Sequence, residues 1–242
     1  MKKKLNPLIF TKRNIVMQRL LDALTNDYTS FTSGSVSIAR CENLINKFDI
    51  NYQTMADRNA RARRKRTGLG NALTILWLYQ ERVYWWLMVT PPSHGEHAAH
   101  TLEKLHDAFS KEGRIELDGY ELVRLPKTDQ AGLRLTWRMS ATKYENWRHS
   151  IIDAVRSTSA TNIHKLIYQI WSSPGFFGVR SQIGKLAALY KAEVKRRNRK
   201  DTPPLPQKLS YLRRLKNDGI YLSQLKHQYN SSPQKSNSDG NS

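Results

Sequence analysis

Cysteine is almost absent from this sequence. The 242 residues contain one, Cys41, so no disulfide can form within the chain, and a reducing compartment is its natural environment. A lone cysteine with no second thiol commonly serves as a small apolar residue in a protein core. We expect Cys41 to be buried.

Long apolar runs are also lacking. The most hydrophobic stretch, residues 72–89, has Gln80, Glu81 and Arg82 at its middle, where a charge inside a bilayer is costly. The stretch therefore predicts two β-strands rather than a membrane span. The N-terminal M-K-K-K precedes an apolar run of only four residues, which is too short for a signal peptide. We expect a cytoplasmic protein that does not contact membranes.

Signatures of known catalytic sites are missing as well. The chain has no Ser-His-Asp signature, no CxxC pair and no acidic cluster of the two-metal nuclease kind. The G-L-G at 68–70 falls short of a phosphate loop, which needs its full glycine spacing and a Lys-Ser/Thr pair. We interpret Gly68 as the stop of a helix. No cofactor is expected, and the sequence favours a non-enzymatic role.

Acidic residues are few relative to basic ones. The chain has 40 Lys and Arg against 20 Asp and Glu, and its formal net charge is +20. Residues 1–80 carry a net charge of +9, residues 81–153 carry −1, and residues 154–242 carry +12. Such a surplus indicates a polyanionic partner. Its distribution predicts two positive segments around a near-neutral core.

Apolar residues at helical spacing predict helices in the N-terminal region. The predicted helices cover residues 14–24 and 38–48, and a third runs from about residue 54 into an arginine-rich stretch. Residues 29–35 are rich in Ser, Thr and Gly and predict a loop.

The period of the apolar pattern changes to two in the middle of the chain. Residues 72–89 predict one β-hairpin, and the segments 120–125 and 133–139 predict a second. Ser93 with Glu96, and Thr142 with Glu145, have capping-box spacing and predict a helix after each hairpin; the first of these runs to about Gly113. The pattern is ββαββα, which predicts one four-stranded antiparallel sheet with helices on one face, of the α+β class.

Helical spacing returns in the C-terminal region at residues 163–171 and 179–194, followed by a basic run and an extended linker at 201–206. The predicted domains are an N-terminal helical basic segment (1–66), a central α+β core (67–157), a C-terminal helical basic region (158–229) and a disordered tail (230–242).

Two dense groups of cations are the candidate nucleic-acid-binding residues. The first basic cluster comprises Arg58, Arg61, Arg63, Arg64, Lys65 and Arg66, and the second basic cluster comprises Lys195, Arg196, Arg197, Arg199 and Lys200. On a helix, Arg58, Arg61 and Lys65 project from one side, and bound phosphates would relieve their mutual repulsion. A solvated basic face and a localisation signal are the alternatives; the charge distribution favours nucleic-acid contact.

The second strand of the second hairpin extends this predicted interface. Arg134, Thr136 and Arg138 alternate with apolar residues, so we expect a solvated basic face there, with Arg134 and Arg138 as contacts to nucleic acid. Tyr84 and Trp86 would be stacking platforms if they shared an exposed face, although core positions are favoured for both.

Residues 94–107 contain four candidate metal ligands. The stretch reads H-G-E-H-A-A-H-T-L-E-K-L-H-D, and the candidates are His97, His100, Glu103 and Asp107. Imidazole with carboxylate suits a divalent metal, but a catalytic metal needs three protein ligands, and one helix seldom supplies them all. We therefore predict no metal site. A metal-dependent nuclease or strand-transfer enzyme is kept as an alternative function.

Three further runs lie within residues 58–200: R-K-R-T-G-L-G-N-A, W-W-L-M-V-T and P-G-F-F-G-V-R-S-Q-I-G-K-L. They resemble accessory DNA-processing proteins of bacterial mobile elements such as conjugative plasmids and integrative elements. This resemblance implies a DNA-binding protein that assists a relaxase or a replication initiator at an origin. A relaxase itself would have a His-hydrophobic-His pair on a strand, and H-G-E-H-A-A-H departs from that spacing. An RNA-binding component of a ribonucleoprotein would use the same charges and is a further alternative.

Overall fold

The structure, a computed structural model, describes residues 5–127, 131–156 and 160–231. The chain forms two compact units: unit 1 comprises residues 1–106 and 216–242, and unit 2 comprises residues 107–215. Helices and sheets are both present, as the sequence predicts. None of the helices in the described ranges is long and apolar enough to cross a membrane.

A six-stranded sheet forms the centre of unit 1. Its strands are β1 (Leu8–Phe10), β2 (Ser30–Ser37), β3 (Ala72–Tyr79), β4 (Arg82–Val89), β5 (His106–Asp107) and β9 (Gly219–Tyr221). Their spatial order is β5-β2-β4-β3-β1-β9. The sheet is mixed because β1 runs parallel to β3, whereas β2–β4, β3–β4 and β1–β9 are antiparallel pairs.

Strand β2 replaces the loop that composition predicts at 29–35. It pairs along the whole of β4, from Ser30 opposite Val89 to Ser37 opposite Arg82. A Cβ atom at Gly34 would stand 2.8 Å from the Trp85 ring, so the glycine leaves room for this indole. Ser and Gly are poor strand formers in isolation; cross-strand packing overrides that preference here.

The first hairpin and the predicted N-terminal helices are confirmed. The turn between β3 and β4 has φ of 47° at Gln80 and 62° at Glu81, the left-handed pair of a two-residue hairpin turn. The helices described in unit 1 are α1 (Arg13–Thr25), α2 (Ile38–Tyr52), α3 (Arg58–Arg66), α4 (Ala99–Leu102) and α8 (Leu222–Ser231).

The long helix predicted from Ser93 onwards is wrong. The helical parts of the segment are a 3-10 turn and the four-residue α4, after which Glu103 is extended with φ −126° and ψ 148°, and strand β5 follows. Glu96 forms a β-bridge with Leu69, and its carbonyl accepts a hydrogen bond from Gly70 N at 2.9 Å. These long-range pairings hold the backbone in an extended path, and local capping-box spacing carries no information about them.

Helices α2 and α8 cover one face of the unit 1 sheet. The core there consists of Ile9, Cys41, Ile45, Leu76, Val83, Leu222 and Leu225. Cys41 has no exposed surface, so its predicted burial is confirmed. Burial, and then the charge of Glu42, raise the pKa of this thiol to about 11. The thiol is therefore protonated near neutral pH.

A three-stranded antiparallel sheet and three described helices form unit 2. The strands are β6 (Glu116–Leu117), β7 (Tyr120–Pro126) and β8 (Leu133–Met139), in that spatial order. The helices are α5 (Ala141–Arg156), α6 (Ala160–Trp171) and α7 (Phe177–Arg196). The predicted second hairpin and the helices after it are confirmed.

The segment after α7 lies on the helices of unit 2. Residues 199–215 form neither helix nor strand. The Tyr190 hydroxyl donates a hydrogen bond to Pro203 O at 2.8 Å, and Arg180 Nε donates to Leu209 O at 2.6 Å. The predicted linker thus has no helix or strand, and it is bound to the surface of its own unit.

The prediction that both hairpins form a single four-stranded antiparallel sheet is wrong. Strands β3 and β4 belong to the mixed sheet of unit 1, whereas β7 and β8 belong to the sheet of unit 2. The edges of the β3–β4 hairpin are occupied by β1 and β2, two N-terminal strands with no alternating pattern of their own. The compact units divide after residues 106 and 215, whereas the sequence predicts boundaries after 66, 157 and 229. From residue 232 the predicted tail lies outside the described residues.

Candidate nucleic-acid interface

Helix α3 carries the first basic cluster, and both of its ends are defined by specific contacts. Asp57 Oδ1 accepts a hydrogen bond from Ala60 N at 2.8 Å, which satisfies one of the free N–H groups at the helix start. At the other end Gly68 has a φ of +71°, and Leu69 N donates to Arg64 O at 2.9 Å. Glycine adopts this left-handed conformation without strain. The predicted helix stop is confirmed.

Arg58, Arg61 and Lys65 line one wall of an open groove of about 660 Å³ in unit 1. Helix α1 forms the opposite wall with Arg19 and Asp22, and β3 contributes to the floor. We call this feature the α1–α3 groove. The three cations share a wall because side chains three and four residues apart lie on the same face of a helix.

The charges of this wall are not neutralised by acidic side chains. Within residues 5–127 and the other described ranges, no ion pair joins a cation of α3 to an acid. On the opposite wall, Arg19 Nη1 contacts Asp22 Oδ2 at 2.8 Å, and Arg19 Nε donates to Asn217 Oδ1 at 2.7 Å. The positive charge of the groove is therefore concentrated on the α3 side.

The remaining cations of the first basic cluster have different roles. Arg64 Nε donates to Gly70 O at 3.0 Å, and its Nη1 donates to Gln53 Oε1 at 2.9 Å. These bonds link α3 to the segment before β3 and to the end of α2. Arg63 and Arg66 are exposed and lie outside the groove lining. The cluster thus separates into groove-lining, structural and outward cations.

Replacing Arg64 by Gln is expected to lower the free energy of unfolding by about 1–2 kcal/mol, because two hydrogen bonds from a charged donor are lost. Replacing Arg63 by Gln removes the same charge and no hydrogen bond, so its effect should stay within about 0.5 kcal/mol. Urea denaturation of the two variants measures the difference. Equal destabilisation would contradict a structural role for Arg64.

The solvated basic face predicted on β8 is wrong at its middle residue, Thr136. Thr136 is 2% exposed, and its Oγ1 accepts a hydrogen bond from Gly178 N at 3.2 Å, near the start of α7. Arg138 Nε donates to Glu121 Oε1 at 2.6 Å, so its charge is paired within unit 2. Arg134 is exposed. Helix α7 covers the middle of the β8 face that carries Arg134, Thr136 and Arg138, which the alternating sequence pattern predicts to be polar and exposed.

The second basic cluster lies at the end of α7 and just beyond it. Lys195, Arg197 and Lys200 are exposed, and none of them has an ion pair with an acid in the described part of the chain. Arg196 is paired with Glu193, one turn earlier on the helix. Three of the five predicted cations are therefore available on the surface of unit 2.

Arg199, the fifth member of the second basic cluster, holds the end of another helix. Its Nη1 donates to Val155 O at 2.9 Å, a carbonyl in the last turn of α5, where helical partners are missing. Its Nε donates to Asp201 Oδ1 at 2.7 Å, and this bond lowers the pKa of Asp201 below its usual value. The guanidinium of Arg199 is used inside unit 2.

The four candidate metal ligands bind different protein groups. Their partners are the Tyr52 carbonyl for His97, the Thr90 carbonyl for His100, the Tyr52 hydroxyl for Glu103 and the Phe109 amide for Asp107. Among the residues that the structure describes, no group of three or more His, Cys, Asp or Glu side chains could hold a metal. The single helix that would have aligned these residues is not formed, so the fold does not assemble them as a ligand set.

His97 is held as the neutral imidazole. It is 7% exposed, its Nδ1 accepts a hydrogen bond from Ala99 N at 3.2 Å, and its Nε2 lies 3.3 Å from the Tyr52 carbonyl. Nε2 therefore carries the proton and donates. Burial, and then the positive charge of Arg64, lower the pKa of His97 below its usual value.

Acid is expected to destabilise unit 1 through His97. Because the pKa of His97 is lower in the folded state, the unfolded chain binds more protons below its ordinary value of about 6.5. The free energy of unfolding should therefore fall as the pH decreases from about 7 to about 5, by no more than about 1.4 kcal/mol per pH unit for this group. The H97Q variant should show a smaller pH dependence. Identical slopes in the two proteins would contradict the prediction.

The aromatic residues considered for base stacking are mostly structural. Trp86 is 6% exposed and belongs to the core. Tyr84 is half-buried, and its ring centroid lies 5.7 Å from that of Trp77. The favoured core assignment is confirmed for Trp86.

Several groove residues were not identified by sequence reasoning. Arg19, Asp22 and Asn26 line the α1 wall and recur at spacings of three and four, as a polar stripe on a helix does. This polar stripe was the available signal. Thr54 and Asn71 also line the groove; no local pattern marks them, because tertiary packing brings them there.

No known protein family matches this chain. No curated protein has a matching sequence, and no solved structure matches the fold.

Proposed function

We propose that the protein binds nucleic acid, with DNA as the expected partner, and that the α3 wall of the α1–α3 groove is its principal contact. The observation that carries this proposal is the row of Arg58, Arg61 and Lys65 on an open surface, without acidic partners in the described part of the chain. Like charges at this spacing repel each other. Phosphates would remove that repulsion and release counterions on binding.

The distribution of charge between the units supports the proposal. Unit 1 has 19 basic and 10 acidic residues, and unit 2 has 21 and 10, so their net charges are +9 and +11. The near-neutral middle of the sequence is shared between the two units. Each unit is therefore basic in its own right, and Lys195, Arg197 and Lys200 are the proposed phosphate contacts of unit 2.

The proposed role is that of a non-enzymatic, cytoplasmic accessory factor in the transfer or replication of a mobile element. The resemblance to accessory DNA-processing proteins supports this role, with a relaxase or a replication initiator as the protein partner at an origin. Phosphate contacts fix the position of a protein on nucleic acid and carry little sequence information by themselves. Such contacts suit a factor that assists another protein in recognising its site.

Titration of labelled DNA with the full chain at several salt concentrations tests the proposal. The logarithm of the affinity should fall linearly with the logarithm of the salt concentration, and about 6 phosphate contacts would weaken binding roughly a thousandfold between about 50 and about 200 mM salt. Absence of binding, or an affinity that does not depend on salt, would contradict the proposal.

Two further arms of this experiment separate the alternative functions. Adding Mg²⁺ or Mn²⁺ to the complex should leave the DNA intact, and cleavage would show a nuclease instead. Unlabelled RNA of the same sequence should displace the protein less effectively than DNA. Stronger displacement by RNA would favour a ribonucleoprotein component, because both polymers present phosphates and the 2′-hydroxyl distinguishes them.

A further inference from the structure

The α1–α3 groove combines a cationic rim with an apolar floor. Besides the cations of α3, its lining includes Phe10, Tyr28, Leu73 and Ile75. Its volume of about 660 Å³ lies within the range of about 300–1,000 Å³ typical of small-ligand sites. A surface made only for the backbone of a duplex needs no apolar floor, because that backbone presents phosphates and sugars.

Buried polar atoms in the groove lining lack partners. Thr54 Oγ1, Asn71 Oδ1 and Thr74 Oγ1 are buried, and none has a hydrogen-bond partner among the described residues. Thr54 is 3% exposed and Asn71 is 6% exposed, and all three residues line the groove. Buried polar atoms are nearly always paired, so three exceptions at one site require an explanation.

The amide of Asn71 is held in a fixed orientation. Its Nδ2 donates to Arg61 O at 3.1 Å, and its backbone N donates to Thr90 Oγ1 at 2.9 Å. The first of these bonds connects Asn71 to the helix turn that carries a groove cation. Asn71 Oδ1 is left as an acceptor without a donor among the described residues.

We propose that the α1–α3 groove binds one unpaired nucleotide of a nucleic-acid strand. The phosphates flanking that nucleotide bind Arg58, Arg61 and Lys65, while the base and sugar lie on the apolar floor. The Thr54 hydroxyl and the Asn71 amide oxygen are buried in the free protein, so entry of the base must displace the atoms that cover them before they pair with polar groups of the base edge, where donors and acceptors are both present. This inference rests on the proposed function and names the form of nucleic acid that the groove takes.

The groove selects single strands because a paired base cannot enter it. In a duplex the bases are stacked and paired, and extruding one requires breaking both its stacking and its pairing. A single strand has unpaired bases already and can place one on the floor while its backbone follows the cations. The protein should therefore bind a single-stranded oligonucleotide more tightly than a blunt duplex of the same sequence and length.

Filling the groove without changing its charge tests this inference. Ala62 is an exposed residue of α3 in the groove lining, and the A62L variant reduces the space for a base. We expect A62L to lower the ratio of single-strand to duplex affinity about tenfold, as steric exclusion of one well-packed group can do. The matched control is A39L, at an exposed position of α2 outside the groove, which should keep the wild-type ratio. An unchanged ratio in A62L would overturn the inference.

A second variant, T54V, tests the unpartnered hydroxyl. Valine has nearly the shape of threonine, and Thr54 Oγ1 has no partner among the described side chains and backbone groups, so the melting temperature should stay the same or rise. The single-strand affinity should fall about five- to tenfold, because one hydrogen bond to the base is lost. A lower melting temperature with unchanged affinity would show that the hydroxyl serves the fold instead.

Competition with a free nucleotide distinguishes binding of a nucleic-acid strand from binding of a single nucleotide. Deoxyadenosine monophosphate should compete only weakly with the labelled oligonucleotide, because it supplies one phosphate for three cations. Competition at the same concentration as an unlabelled oligonucleotide would overturn strand binding in favour of a free-nucleotide site. The proposed function fails if the wild type binds no nucleic acid in any arm; this inference alone fails if salt-dependent binding occurs without preference for the single strand.

Discussion

The R58Q/R61Q/K65Q variant should bind DNA about a hundredfold more weakly than the wild type near 0.15 M salt, if each removed cation contributes one phosphate contact. The slope of log affinity against log salt should decrease by about one for each lost contact. Folding should be preserved, since no hydrogen bond from these three side chains is present among the described contacts and removing like charges relieves repulsion within α3. Fluorescence anisotropy with labelled DNA, together with a thermal melt, measures both quantities.

The matched control for this variant is R40Q/R63Q/R66Q. It removes the same number of charges from unit 1 at exposed positions outside the groove lining. Its affinity should fall less than tenfold, because Arg63 and Arg66 project from other sides of α3 and Arg40 lies on α2, so none of the three contacts a phosphate in the groove. Equal losses in the two variants would mean that DNA responds to the total charge of unit 1 and that the groove has no special part.

Replacing Gly178 by Ala should lower the free energy of unfolding of unit 2 by about 2–3 kcal/mol, the upper part of the range for overpacked sites. A Cβ atom at this position would stand 2.6 Å from the Trp137 carbonyl oxygen, a backbone atom of β8 that cannot move without disturbing the sheet. The start of α7 would have to shift, and the hydrogen bond from Gly178 N to Thr136 Oγ1 would be weakened. Chemical denaturation followed by Trp fluorescence measures the loss.

The same helix provides a control of opposite sign. At Gly184 a Cβ atom would meet no atom within 4 Å, so G184A gains helix propensity without a clash. We expect it to raise the free energy of unfolding by about 0.5–1 kcal/mol. Destabilisation by both variants to the same extent would show that backbone flexibility, and not the close approach of α7 to β8, is the property that matters at these positions.

The elements with strong local periodicity are those that the sequence predicts correctly. Helices α1, α2 and α7 have apolar stripes at helical spacing, and the β3–β4 and β7–β8 hairpins alternate with turn residues between their strands. These patterns arise because each element buries one face, and that requirement is written into neighbouring residues. Strands β1 and β2 have no such pattern, since pairing with β3 and β4 provides their stability.

The candidate site, like the fold, has one part that local sequence predicts and one part that depends on distant residues. Helical spacing alone predicts that Arg58, Arg61 and Lys65 share a face, and the structure places them on one wall. The structural roles of Arg64, Arg138 and Arg199 depend on their hydrogen-bond partners. These partners lie 6, 17 and 44 residues away in the chain, respectively. A count of charges cannot separate such structural cations from available ones, because all of them have the same side-chain chemistry.

The sequence by itself determined the basic character of this chain, its α and β composition, the bounds of its periodic elements and the orientation of three cations on α3. Each of these properties depends on residues within a few turns of one another. The tertiary structure alone decided that the two hairpins belong to different sheets, that α1 and β3 complete a groove beside α3, and that three buried polar atoms in its lining have no partner in the described structure. The physical reason is that strand pairing, side-chain burial and hydrogen-bond satisfaction join residues far apart in the chain, and local spacing contains no record of those partners.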